Sequence, residues 1–226
     1  MKLSPYSYGR FRRKLSAETL QLRQLMKACV SHSCYFQEGE TILRQGEELE
    51  FLYIVPVGNV SMSIIAQNGR RFQLGRAHCD DHIFGEIEFF TRQPCQWNVT
   101  ADEALNAEAV CLQKLKEQLL AHPLLLLHFA SALAADYQDS LAIYTSRLMH
   151  SIAHNIASDL LQEKETTAYL VGFDKVTQEA ERFGTSARVY RRAVNELIER
   201  GLVKREAGKL EIENEDGLRA FLDSHT

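Results

Sequence analysis

The feature that most constrains this chain is a change of periodicity at Pro123. Before it, short runs of β-forming residues alternate with glycine-bearing turns: "YFQEGE", "TILRQGEE", "FLYIVPVGN", "VSMSIIAQNGR" and "RFQLG". After it, Leu127, Ala130, Ala134, Tyr137, Leu141, Tyr144 and Leu148 recur at 3-4 spacing, the signature of one long helix. A single layer cannot satisfy both patterns. A chain of 226 residues with 45% apolar content can supply separate cores for each.

The first segment reads as a small antiparallel barrel or sandwich, since several short strands with regular turns have few other solutions. Asn68-Gly69 between two such runs predicts a hairpin with a type I′ turn. Gly39, Gly46 and Gly58 are expected to supply further sharp turns. Arg10, Arg12, Arg13 and Lys14 read as a mobile basic arm ahead of it. The cluster "HCDDH" carries His78, Cys79 and His82, which with Cys111 are metal-ligand candidates by residue type. In a turn such a polar cluster is ordinary solvation, and no metal is expected.

The helix predicted over 123–150 opens on Pro123, suited to a first turn. Its Ala130–Leu148 line suits a dimer seam, while a second line through Leu126, Phe129 and Leu133 can pack inward. Ser151 is placed to cap a further helix at a hinge. "AYLVGF" reads as a strand. Two helices then meet at a tight turn: Asp174 can cap the first, Gly184 breaks it, and Ser186 can cap the second. In the second helix Tyr190, Ala193, Val194, Leu197 and Ile198 form one apolar face, and Arg188, Arg192, Asn195 and Glu199 lie opposite with Arg191 at the flank. "LVKREAGKLEIE" makes two short strands around Ala207-Gly208, a wing.

Charge narrows the function. The net charge of −4 argues against indiscriminate nucleic-acid binding, so a DNA contact must be a local patch. The stretch from Arg182 to Arg192 supplies one: it holds Arg182, Arg188, Arg191 and Arg192 and no acid. "PLLLL" at 123–127 is far too short for a span, which needs roughly 18 apolar residues. The start "MKLSPYSYGRFRRKL" lacks the apolar core of a secretory signal. A cytoplasmic address follows, where Cys29, Cys34, Cys79, Cys95 and Cys111 stay reduced. No nucleophile elbow, Walker loop or zincin motif is present, so an enzyme is not expected. A cupin-like metalloenzyme needs clustered histidines on facing strands, and no such set is visible.

In their order, the glycine-punctuated "EGETILRQGEELEFLYIVPVGNV", the cassette "IFGEIEFF", the long helix and the helix-turn-helix with its wing resemble the CRP/FNR family of bacterial transcription regulators. The resemblance runs from about Leu20 to Leu222. It implies an α+β chain: an N-terminal antiparallel β-roll of the cyclic-nucleotide-binding, jelly-roll type over 1–122, a dimerisation helix over 123–150 and a winged helix-turn-helix over 151–226. The implied partners are a second copy of the chain, double-stranded DNA carrying an inverted repeat, and RNA polymerase, with no membrane. Arg188, Arg192 and Asn195 fall where bases are read, while Arg182, Arg191 and Ser186 are expected on phosphates.

The effector pocket implied by the resemblance comprises Phe84, Gly85, Glu86, Cys95 and Gln96. In the cyclic-nucleotide members the cassette glutamate binds ribose, and an arginine paired with serine or threonine later neutralises the phosphate. Phe84-Gly85-Glu86 matches the first half, but Pro94-Cys95-Gln96-Trp97 brings no arginine. The expected regulator therefore does not bind a cyclic nucleotide, and no cofactor is implied. Iron–sulfur members hold a cluster with three early cysteines and one late; Cys111 resembles the late one, but only Cys29 and Cys34 stand before the roll. A redox, iron–sulfur or metal sensor of the same fold is the alternative.

Overall fold

The structure, a computed structural model, describes residues 1–3, 9–165, 172–206 and 209–224. The chain divides into two compact units, one of Met1–Ile64 and Ala77–Asp139 and the other of Ile65–Arg76 and Ser140–Thr226. The division falls inside the long helix, between Asp139 and Ser140, instead of at either of its ends.

Helix α1 (Arg12–Cys29) precedes the sheet. Arg12, Arg13 and Lys14 thus belong to a helix and not to a free arm, because Leu15, Leu22, Leu25, Met26 and Cys29 give it a buried stripe. The strands are β1 (Val30–Phe36), β2 (Thr41–Leu43), β3 (Phe51–Ile65), β4 (Arg71–Phe84), β5 (Asn98–Ala101) and β6 (Leu105–Cys111). They form one antiparallel sheet in the order β1-β6-β3-β5-β2, with β4 paired to β3. The long β3 ties it together: Phe51–Ile54 pairs with β6 and Val60–Ser63 with β5. This is the antiparallel β-roll expected.

Two turn expectations are corrected. Gly58 does not end a strand. It lies within β3 at φ 134°, where an added Cβ would stand 3.1 Å from a Leu105 methyl, so glycine permits a close approach. The Asn68-Gly69 turn is not type I′ either, since only Gly69 has positive φ. Gly69 N–H donates to the Ala66 carbonyl and Ala66 N–H to that of Arg70, the shape of a type I turn closed by a left-handed glycine.

Between β4 and β5 lies α2 (Glu86–Thr91); α3 (Leu112–Ala121) follows β6. A single 3₁₀ turn at Pro123–Leu125 leads into α4 (Leu126–Met149). Phe129, Ala132 and Ala135 of α4 are buried. Phe129 and Ala132 join Leu22, Met26, Leu52, Ile83, Leu115 and Leu119 in one core.

The second unit holds α5 (Ile152–Glu165), α6 (Val176–Arg182), α7 (Ala187–Glu199), β7 (Val203–Glu206), β8 (Lys209–Ile212) and α8 (Glu215–Asp223). Ser151 Oγ accepts the His154 N–H at 3.2 Å, capping α5 as its sequence position suggests. A core of Ile156, Leu161, Val194, Leu197, Leu218 and Phe221 fastens these helices. The "AYLVGF" strand and the Ala207-Gly208 turn lie largely or wholly outside the described residues; Gly172 and Phe173 are not in a strand. No single helix among the described residues is long and apolar enough to cross a membrane.

His78, Cys79 and His82 lie along β4, not in a turn. Cys79 and His82 are buried, so the pleat splits the cluster that looked contiguous. His82 Nδ1 accepts the Asp80 N–H at 2.9 Å. Burial, reinforced by the nearby amino terminus and Lys2, pushes its pKa down to about 3. The imidazole is therefore neutral in the fold, whereas the unfolded chain protonates near pH 6.5. Above 6.5 both states are neutral and the contribution is complete; between 6.5 and about 3 only the unfolded state takes the proton, so stability falls with pH. The slope from this residue approaches about 1.4 kcal/mol per pH unit. Urea unfolding at pH 7.5 and pH 4.5 should show about 2 kcal/mol less acid loss in His82→Gln than in the parent chain. Equal losses would mean that His82 is already charged in the native state.

Candidate nucleic-acid interface and effector cassette

Helix α6 ends where Gly184, at φ 62°, donates its N–H to the Glu181 carbonyl, and Thr185 N–H donates to that of Ala180. The left-handed residue turns the chain within two positions, and Ser186 starts α7 by accepting the Val189 N–H at 3.3 Å. Asp174 does not cap α6: the cap position is Lys175, without a side-chain bond, and the Asp174 carboxylate lies 3.7 Å from Lys209 Nζ. The Gly184 break and the Ser186 cap stand as expected.

Helix α7 has the most sharply divided faces of the chain. Tyr190, Ala193, Val194 and Leu197 are buried, whereas Arg188, Arg191, Arg192 and Asn195 are exposed. No carboxylate among the described residues pairs with any of these three arginines. They form a cationic ridge along the first two turns. Ser186 is exposed at its head, with its hydroxyl proton still available to an acceptor. Behind α7, the wing strands pair in register from Val203–Ile212 to Glu206–Lys209, with Lys204, Arg205 and Lys209 exposed. Lys204 is held by Glu206.

Arg182 does not join the ridge, which corrects its assignment to phosphate. It is 8% exposed. Its Nε donates to Glu179 Oε1 and its Nη2 to Oε2, both at 2.8 Å, while Nη1 meets Asp159. Glu179 also takes the Phe173 N–H at 2.7 Å and the Tyr190 hydroxyl at 3.5 Å. Burial works to lower the Arg182 pKa, but the bonds and charges of Glu179 and Asp159 outweigh it and hold the guanidinium more firmly protonated than usual. Burial, then the Glu179 charge, pushes the Tyr190 phenol up. This hub joins α5, α6 and α7. Its sequence signal was the Glu179–Arg182 spacing of three, which puts the charges on one helix face.

The cassette turns at Gly85, whose φ is 95° and whose absent Cβ would meet Leu49 Cδ1 at 2.7 Å. Phe84, Gly85 and Glu86 are all buried. Glu88 is buried too, accepts the Gln96 N–H at 3.1 Å, and has its pKa raised by burial. Cys95 is fixed by two backbone bonds, donating to the Glu47 carbonyl and accepting from Gly46 N–H, each 2.8 Å. Its thiol is pushed up to about 11 by burial and then by Glu88. Gln96 is exposed, and only its backbone serves the cassette. Arg92 is exposed at the end of α2 in a left-handed conformation.

One contact had no local signal in the sequence. The Met1 ammonium pairs with Glu86 Oε1 at 3.0 Å and donates to the Ile83 carbonyl at 2.8 Å. Cysteines do not assemble a site: burial raises the pKa of Cys29, with Cys111 nearby, and among the described residues no three His, Cys, Asp or Glu side chains could hold a metal.

Residues 33–121 match the family model of the cyclic nucleotide-binding domain. No curated protein sequence gives a significant match. Among solved structures, the c-di-GMP responsive global regulator CLP from Xanthomonas campestris superposes with a TM-score of 0.72 at 15% identity, over 85% of this chain and 98% of its own. FixK2 from Bradyrhizobium japonicum gives 0.67 at 16% identity, over 84% and 96%. A CRP/FNR-family transcriptional regulator from Thermus thermophilus gives 0.60 at 19% identity, over 86% and 100%.

The hub separates two roles that an arginine in this region can play. Removing Arg182 strands Glu179 in the interior, a loss of about 3–5 kcal/mol for a broken buried pair. Arg182→Ala should therefore lower the unfolding midpoint, and Glu179→Gln combined with Arg182→Met should restore part of it. An Arg182→Ala protein with unchanged stability and weakened DNA binding would return this residue to the phosphate set.

Proposed function

We propose that this chain, folded as the CRP/FNR transcription regulators are, is a cytosolic, homodimeric regulator that binds an inverted-repeat DNA site through α7. The observation that carries the reading is the ridge of Arg188, Arg191 and Arg192, exposed and without carboxylate partners on a helix whose opposite face is core. A solvated helix surface in a chain of net charge −4 has acids enough nearby to pair such residues. Leaving them free suits a polyanion. Arginine bonds bidentately to guanine O6 and N7, which assigns guanines to Arg188 and Arg192, with Asn195 beside them. Arg191, at the flank, supplies phosphate affinity without sequence information. Ala187 cannot hydrogen-bond a base, and Arg188 stands where many relatives carry glutamate, so the preferred half-site differs from the familiar one.

Two further features support a dimer without a nucleotide effector. Ala130 and Ala134 are exposed, and Tyr137, Leu141, Tyr144 and Leu148 are 67%, 51%, 43% and 85% exposed along one line of α4. An apolar line of this length on a helix suits self-association. In the cassette, the place where the relatives neutralise a phosphate holds a buried Cys95 thiol beside Glu88. An anion brought there would be desolvated against a carboxylate and meet no cation.

Binding to a library of single-base operator variants tests the interface. Arg192→Ala should cost about 1–3 kcal/mol and relax specificity at one base pair, whereas Arg191→Ala should weaken all sequences alike. A uniform loss in Arg192→Ala would make it a phosphate anchor. Leu141→Glu should dissociate the dimer in light scattering; an intact dimer of native stability would remove this seam. Cyclic AMP or cyclic GMP at millimolar concentration should leave the melting temperature unchanged. Binding at 100 times its dissociation constant would instead add about 2.7 kcal/mol.

A further inference from the structure

We propose that Glu86 is a receptor for the chain's own α-ammonium group, so that the cassette is filled from within by Met1–Leu3. The inference deepens the reading of this cassette as an effector pocket and rests on it, but not on DNA binding.

Three features make the contact a built site. The pair is almost wholly enclosed, with side-chain exposures of 1% for Met1 and 9% for Glu86, so neither charge is left to water. The segment is registered by backbone bonds: Leu3 N–H donates to the Asp81 carbonyl, Ile83 N–H to that of Met1, and Lys2 bridges His82. Met1 thus lies against β4 as a short added strand, which fixes where its nitrogen falls. Its side chain and that of Leu3 then sink into the core beside Leu22, Met26 and Ile83.

Charge selects the occupant. A buried carboxylate favours a cation with several donors, and an ammonium supplies three. Two reach the Ile83 carbonyl and Glu86 Oε1. His82, the nearest basic side chain along β4, is neutral, its pKa pushed down to about 3, and so does not compete for Glu86. Glu88 cannot substitute, being turned to the Gln96 N–H. Positive φ at Gly85 starts α2 on its first residue, Glu86, and Asp81, at φ 50°, bends β4 where Leu3 docks. A hydroxyl ligand would have to displace both the ammonium and two apolar side chains. The state of the amino group therefore matters: formylation, acylation or extension removes the charge or carries it away from Glu86.

The test uses the full-length protein in four forms: free Met1 amine, a short Gly-Ser extension before Met1, Glu86→Gln, and both changes together. Amine acylation at pH 7.5, read by mass spectrometry, should label the Met1 nitrogen at least tenfold more slowly than exposed lysines. Glu86→Gln should abolish that protection. The extension should lower the melting temperature by about 5–15 °C, the usual effect of leaving a buried charge unpaired in a chain of this size. Adding Glu86→Gln to the extended chain should then recover part of the loss, because the two partners act as one interaction. Should Glu86→Gln fail to fold, the protection of the parent amine and the extended chain's melting shift still decide. Labelling of the parent amine at lysine rates, or strictly additive effects of the two changes, overturns the proposal.

Discussion

A guanidinium taken out of water must be met by carboxylates, and the DNA-binding unit is arranged around one that is. Arg182 reaches Glu179 from its own helix and Asp159 from α5, and Glu179 in turn receives Tyr190 from α7. Three helices are thereby fixed by one polar cluster inside an otherwise apolar core. Its components cannot be exchanged singly, because each removal leaves an unpaired group behind. Phe183 extends the cluster: Arg182 lies over its ring at 4.7 Å from the centroid and Arg147 at 5.5 Å. The angle at which α7 presents its outer face follows from contacts on its inner face.

This explains why sequence and structure agree on some arginines and part over another. The periodicity of α7 places Tyr190, Ala193, Val194 and Leu197 inward, and everything opposite follows at 100° per residue. Arg188, Arg191 and Arg192 were legible for that reason. Arg182 belongs to a helix of one and a half turns, too short for a face to be read by period, and its partner Asp159 is distant in sequence. The long helix was legible from its two apolar lines, one now inward and the other exposed. Turn positions at Gly39, Gly46 and Gly184 were legible because only a residue without a side chain takes their conformation cheaply. Gly58 was misread on that same signal, since a close approach to Leu105 and a chain reversal both select glycine.

The cassette shows the limit of motif reading. Phe84-Gly85-Glu86 was visible, and the structure gives it the tight turn and short helix expected. What neutralises Glu86 was not, because Met1 is joined to it only through strand addition across the whole β-roll. The "HCDDH" cluster failed for a related reason: proximity in sequence became opposition across a pleat once β4 was a strand instead of a turn.

The ionic contacts divide by solvent access, and the division carries the functional argument. Inside, at Arg182 and at the Met1 ammonium, each cation has a carboxylate, because an unpaired one would unfold the element that holds it. Outside, at Arg200 and Arg219, cations pair at i,i+4 with acids that cost and gain little. Only along the outer face of α7 do three arginines stand together without such company among the described residues. Water solvates them at no cost to the fold, so nothing in the monomer requires their clustering. Mutual repulsion at this spacing is a small penalty that a polyanion would turn into attraction by releasing its counterions. The excess of acids elsewhere in the chain then confines that attraction to this one face, which is what a site-selective reader of DNA needs.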